Sequence, residues 1–221
     1  MIRRTEHPAP PRLSEPDLPD ILSGGGRIRA RTEHFQRRFD ALESETDADH
    51  AVITECRIAG AATDAWSLTG ATLIDVDIEH LRATTITARE SRWRRVRITG
   101  GRIGTLDLSA AELDEVELRG IRIDYLALGR SRVEDLLITD CTFTTLDVPG
   151  ATLRRAAFSD SRADELDTRG LSAENVDLRG LEVLSITDPT AVRGVTMSER
   201  QVDFHARAFA TSLGVHVAGE R

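Results

Sequence analysis

Residues 71–100 read ATLID VDIEH LRATT ITARE SRWRR VRITG, and the five-residue beat of this stretch decides the fold. Followed outward, it runs without a slip from Ala51 to Thr190 as 28 consecutive pentamers. The third position is apolar in 25 of the 28, the exceptions being Thr63, Thr168 and Asp188. The first is apolar in 24, and its exceptions (Ser91, Gly101, Ser131, Ser161) are all small. The remaining three positions are apolar in only 11 of 84 cases, so two residues per pentamer belong to an interior and three to solvent. A helix cannot carry this pattern, because five residues advance it by about 140° and scatter the apolar positions around the cylinder. Apolar, polar, apolar is strand alternation, and the two polar residues that follow read as a turn. Glycine at Gly60, Gly70, Gly100, Gly120, Gly150, Gly170 and Gly180 marks fifth positions as tight bends.

A longer period sets the number of sides. Ala51, Ala71, Ser91, Ala111, Ser131 and Ala151 are small, with Leu171 closing the set, whereas Trp66, Ile86, Leu106, Leu126, Leu146, Leu166 and Ile186 in the neighbouring set are large. Recurrence every twenty residues means four pentamers per turn, with large and small side chains alternating as a close-packed interior requires. Charge repeats with the same spacing. Asp75, Arg95 and Glu115 alternate in sign, followed by Asp135 and Arg155. Beside them run Arg94, Asp114, Glu134, Arg154 and Glu174, and on the next side Arg57, Asp77, Arg97 and Glu117. Opposite charges on adjacent strands each contribute a few tenths of a kcal/mol. The expected fold class is an all-β solenoid, a four-sided parallel β-helix of about seven turns with short α-helical segments at both ends. At ~4.8 Å per turn the column is about 34 Å long.

Blocks such as ATLID, AELDE, VELRG, VDLRG and ATLRR resemble the pentapeptide-repeat family, whose motif is A-(D/N)-L-x-x. The resemblance spans residues 51–190, and the arginine-rich style is similar to that of actinobacterial members. It implies a right-handed quadrilateral β-helix. It also brings in, as an alternative function, the quinolone-resistance members, acidic dimers that imitate duplex DNA and occupy the DNA-binding saddle of gyrase. Few second positions carry Asp or Asn here, and Arg occurs there about as often.

Around the repeats the sequence divides into an arm (1–30), a lead-in (31–50) and a tail (191–221). The proline-rich and then glycine-rich arm is expected to be extended or disordered. Phe35, Phe39 and Leu42 at helical spacing predict a short helix over Thr32–Leu42. Ser198 and Gln201 form a capping box, and Val202, Ala206, Phe209 and Leu213 an apolar stripe, predicting a helix that caps the last turn or joins two copies into a homodimer.

The chain carries 37 acidic residues against 29 arginines and no lysine, a net charge of −8, which argues against direct nucleic-acid binding. No apolar run is long enough to span a membrane. MIRRTEHPAPPRL lacks the apolar stretch of a secretory signal, so a cytoplasmic location and reduced cysteines are expected. Cys56 and Cys141 at inward positions read as small buried thiols. Asp75, Asp77 and Glu79 straddle a corner and lack the glycine of a calcium loop, and Gly24–Gly26 lacks the lysine of a phosphate loop. No catalytic constellation, metal or cofactor is therefore expected. Two surface features remain. Arg82, Arg102 and Arg122 stand in one column, with Arg162 two turns on, either as a solvated face beside Asp124 and Asp164 or as a docking stripe for an anionic partner. Asp114, Glu115, Glu134 and Asp135 stack like charges, which either suggests a basic partner or reflects crowding on a charge-rich surface. The function expected is a non-catalytic scaffold for an unidentified protein partner, with the gyrase-directed DNA mimic as the alternative. The repeat region is too evenly charged to imitate a polyanion on one side, with 24 acids and 17 arginines spread over four faces.

Overall fold

The computed structural model describes residues 7–218, which wind into a parallel β-solenoid of about eight turns. The ends of the expected arm and tail, residues 1–6 and 219–221, lie outside the described residues. Within the repeats each strand pairs with the residue twenty further on: Val52 with Thr72, Thr72 with Arg92, Arg92 with Glu112, and Glu112 with Arg132. Each turn is thus four pentamers. Strands Thr72–Thr87 and Arg92–Asp107 pass a corner without interruption.

First- and third-position side chains fill the interior. Leu73, Ile78 and Leu118 are buried, and Trp66 and Trp93 are the largest fully enclosed side chains. The polar exceptions are satisfied locally, as burial demands. Ser91 Oγ donates to the Ala88 carbonyl at 2.6 Å, Ser131 Oγ to Leu128 at 2.7 Å, Thr63 Oγ1 to Glu43 at 2.8 Å and Thr168 Oγ1 to Asp188 at 2.6 Å. Gly101 is the apolar pattern's other gap for a backbone reason. Its φ is +98°, and a Cβ there would lie 2.1 Å from the Leu81 carbonyl oxygen. Both cysteines are buried and free, and burial pushes the Cys141 thiol up to about 11, so it stays protonated at neutral pH.

The helix expected over Thr32–Leu42 does not form. This segment holds strands Glu33–Phe35 and Arg37–Phe39, which pair with Val52–Ala59 as an additional turn. The register is one residue short here (Glu33 faces Val52), so the pentamer count falters before Ala51 although the winding continues. An open solenoid end presents unpaired strand amides and carbonyls, which a strand satisfies and a helix cannot. Phe39 is 1% exposed and closes the interior, whereas Phe35 is 55% exposed. Above it Ser23–Gly24 pairs with Arg37 and Arg38, and Ile28 is buried as the plug. Gly25 lies so close to the Phe39 ring that a Cβ would approach within 2.4 Å.

At the other end strand Val195–Thr196 adds to Val176 and Asp177, and helix α1 spans Glu199–Ser212. The capping box forms: Gln201 N–H donates to Ser198 Oγ at 3.3 Å and Ser198 N–H to Gln201 Oε1 at 2.8 Å. The apolar stripe does not seat the helix as expected. Val202 and Leu213 are 46% and 76% exposed, Ala206 is exposed and Phe209 half-buried. Gln201 and the buried His205, one turn apart, face the rod instead. Gln201 Nε2 donates to the Leu178 and Leu181 carbonyls at 2.7 and 2.8 Å, satisfying groups of the last turn that no apolar side chain could. Among the described residues no helix is long and apolar enough to cross a membrane.

Candidate functional site

Three corner columns of the rod hold their fifth-position residues in the left-handed region. In the columns through Gly70 and Gly100 several of these residues are glycine, which adopts that geometry freely. The third column has none. Gln36, Glu55, Asp75, Arg95, Glu115, Asp135, Arg155 and Asn175 all have φ between +49° and +60°. Each non-glycine residue there costs about 1 kcal/mol or more in steric strain. A whole edge of the molecule accepts that cost and carries a polar side chain on every turn, Asp and Asn at the least strained positions.

These side chains form a ladder. Arg95 clasps Asp75 through two bonds of 2.6 Å, and Arg155 clasps Asp135 through two of 2.7 Å while its Nη2 also reaches Glu134. Gln36 Nε2 donates to Glu55 at 2.8 Å. On the adjoining side Arg57 and Arg97 both bond the fully buried carboxylate of Asp77, at 3.4 and 3.1 Å. Asp75 and Asp77 are thus taken up by guanidinium groups.

The column also holds the arm. Residues 8–22 carry no regular secondary structure and run along the rod opposite to the direction of winding. The N–H of Ala9 donates to Asn175 Oδ1 at 3.1 Å and that of Arg12 to Asp135 Oδ1 at 2.8 Å. Ser14 N–H donates to Glu115 Oε2 at 2.8 Å and Asp17 N–H to Asp75 Oδ1 at 3.0 Å. Burial tends to raise the Asp75 carboxyl, but Arg95 and the Asp17 amide more than offset this and hold it below its ordinary value. Asp135 is held low by Arg155, against some burial, with the Arg12 amide helping.

The acidic quartet lies beside this ladder. Glu134 pairs in register with Asp114, and Glu115 and Asp135 receive the arm amides. Asp114 alone is left strained. Burial and the neighbouring Glu115 push its carboxyl up, and Arg94, 3.7 Å away, compensates only in part. What covers half the quartet is a segment of the same chain. The sequence marks that segment as extended through Pro8, Pro10, Pro11, Pro16 and Pro19, but nothing in it names the acceptors.

On another side stands the arginine column. Arg82 pairs in register with Arg102, Arg102 with Arg122, and Thr142 separates Arg122 from Arg162. All four are exposed. Asp124 is shared between Arg102 (3.0 Å) and Arg122 (2.9 Å), while Arg82 and Arg162 make no ion pair among the described residues. Beside Arg82 and Arg102 is a shallow groove of about 970 Å³, floored by Ala62, Ala83, Gly101 and Gly104. Tyr125, in the same pentamer as Arg122, is 39% exposed and fixed by a 2.8 Å bond from its hydroxyl to Asp147.

No family model matches the sequence, and no curated protein matches it. Among solved structures the chain is similar to two trypsin-treated forms of QnrB1, a plasmid-mediated fluoroquinolone resistance protein. The first is 16% identical with a TM-score of 0.37, over 88% of this chain and 100% of that one. The second is 17% identical with a TM-score of 0.37, over 85% and 100%. A likeness this distant carries no argument about what the chain does.

Proposed function

We propose that this protein is a non-catalytic binding scaffold whose arginine side docks an acidic protein partner. The observation that carries this reading is the register of Arg82, Arg102 and Arg122 on three successive turns, with one carboxylate, Asp124, shared by two of them. Like charges stacked on neighbouring strands repel. A carboxylate-bearing surface laid across them relieves that repulsion. The groove beside them and the fixed, half-exposed Tyr125 add the shape and the aromatic anchor that binding surfaces favour. The test is the triple reversal Arg82→Glu, Arg102→Glu, Arg122→Glu in affinity capture from the native cell. Loss of a co-purifying acidic protein supports the reading, and an unchanged set of partners removes it.

A second reading, self-association into a homodimer through the C-terminal segment, is favoured by the outward stripe of Val202, Ala206 and Leu213. Light scattering on the purified chain tests it, and a monomer at high concentration rejects it. The gyrase-directed mimic has less in its favour, since two of the four acids in the densest acidic cluster are engaged by the arm. A supercoiling assay without inhibition or protection at micromolar protein eliminates it.

A further inference from the structure

The arm and the strained column match in pitch. Asp75 and Asn175 are five turns apart, about 24 Å at ~4.8 Å per turn. The bonded amides Asp17 and Ala9 are eight residues apart, about 25 Å at the ~3.1 Å rise of a polyproline-II chain. Three residues of such a chain therefore cover two turns of the rod. The outer steps follow that ratio, Asp17 to Ser14 moving from Asp75 to Glu115 and Arg12 to Ala9 from Asp135 to Asn175, while the middle step, Ser14 to Arg12, spends two residues on the single turn from Glu115 to Asp135. The skipped rungs carry Arg95 and Arg155, which orient the acceptors. Pro8, Pro11, Leu13, Pro16 and Leu18 lie half-buried toward the rod, while the amide-donating residues keep their side chains exposed. Glu15 adds a 4.0 Å contact to Arg97.

We propose that this corner is a binding site for proline-rich extended segments, and that residues 8–19 are its built-in, displaceable occupant. The contacts suit exchange. All four are single bonds from backbone N–H groups to side chains, half-buried at Glu115 and Asn175 and buried at Asp75 and Asp135, and residues 8–19 make no strand pairing with the rod. The acceptors read backbone donors at a fixed spacing and so recognise a conformation more than a sequence. This site is distinct from the arginine side, and neither proposal depends on the other.

The test leaves the folded full chain in place. A protease site is inserted between Asp20 and Ile21, where Ile21 is 87% exposed, and is cut after purification. The probe is a labelled synthetic peptide of residues 7–20. It is expected to exchange into the cut protein, to bind the uncut protein at least about tenfold more weakly, and to lose about tenfold when one residue is inserted between Arg12 and Ser14. Failure to bind the cut protein overturns the site. Equal binding by the inserted peptide overturns the pitch argument, because charge alone would then suffice. Equal binding to cut and uncut chains overturns the role of the arm as occupant. In the uncut chain, amide hydrogen exchange is expected to be slowed at Arg12, Ser14 and Asp17 relative to Leu13 and Glu15. Uniform exchange along the arm counts against the proposal.

Discussion

The rod and the arm lie side by side but are held by opposite kinds of contact. Within the repeats every turn of the rod rests on another twenty residues away, and its interior is a repeated small-and-large packing. The arm instead bonds partners 58, 101, 123 and 166 residues distant, and it does so through backbone amides that any residue except proline possesses. Regular, nearest-neighbour contacts write themselves into the sequence as a period. Long-range contacts made by the backbone leave no such mark.

The widest gap between the two regions is expected at the interior. Trp93→Ala should cost the rod about 3–5 kcal/mol, read as a lowered urea midpoint, because the cavity cannot collapse between stacked turns. Substitutions on the outer side of the arm, such as Ser14→Ala, should leave that midpoint unchanged, since Ser14 contributes its backbone N–H. Gly101→Ala is expected to cost about 1–3 kcal/mol, as the left-handed backbone and the Leu81 carbonyl both oppose a Cβ. An unchanged midpoint would mean that strands cross this corner more freely than their geometry implies.

Arg155→Ala sharpens the comparison because it touches both regions. It leaves the nearly buried Asp135 carboxylate without its guanidinium and should lower the urea midpoint, by less than Trp93→Ala does. The same change should accelerate exchange at the Arg12 amide.

Acid should separate arm from rod more gently. The Asp75 and Asp135 carboxyls sit below the ordinary 3.8, so the docking they support is complete above that pH and is withdrawn as pH falls through their lowered values. Protection at the Arg12 and Asp17 amides, taken relative to their intrinsic exchange rates at each pH, should therefore fall below about pH 3.8. Protection in the rod strands should outlast it. The smallest effect runs the other way. Asp114 is pushed up, so its charge opposes folding at neutral pH, and Asp114→Asn should raise the urea midpoint slightly, because solvent screens a half-exposed carboxylate.

How far the sequence could be read follows from the same contrast. The ladder Asp75, Arg95, Glu115, Asp135, Arg155 was visible as alternating charge at a spacing of twenty, and so was the acidic quartet. The occupant of that ladder was not, because Ala9, Arg12, Ser14 and Asp17 share no side-chain chemistry that points to carboxylates. Phe35, Phe39 and Leu42 misled through a spacing that fits a helix, although an open row of strand groups awaited a strand. Val202 and Leu213 misled likewise: apolar spacing marked the helix correctly, but the end of the rod needed hydrogen-bond donors, which Gln201 supplies.

By itself the sequence determined the winding, the four pentamers per turn, the interior residues and the lateral ion pairs. Each of these depends on side-chain type repeated at a fixed interval. Only the tertiary structure decided where the proline-rich segment lies, how each end is closed, and which edge carries left-handed backbone without glycine. Those features arise from backbone groups seeking partners, and every residue carries nearly the same backbone.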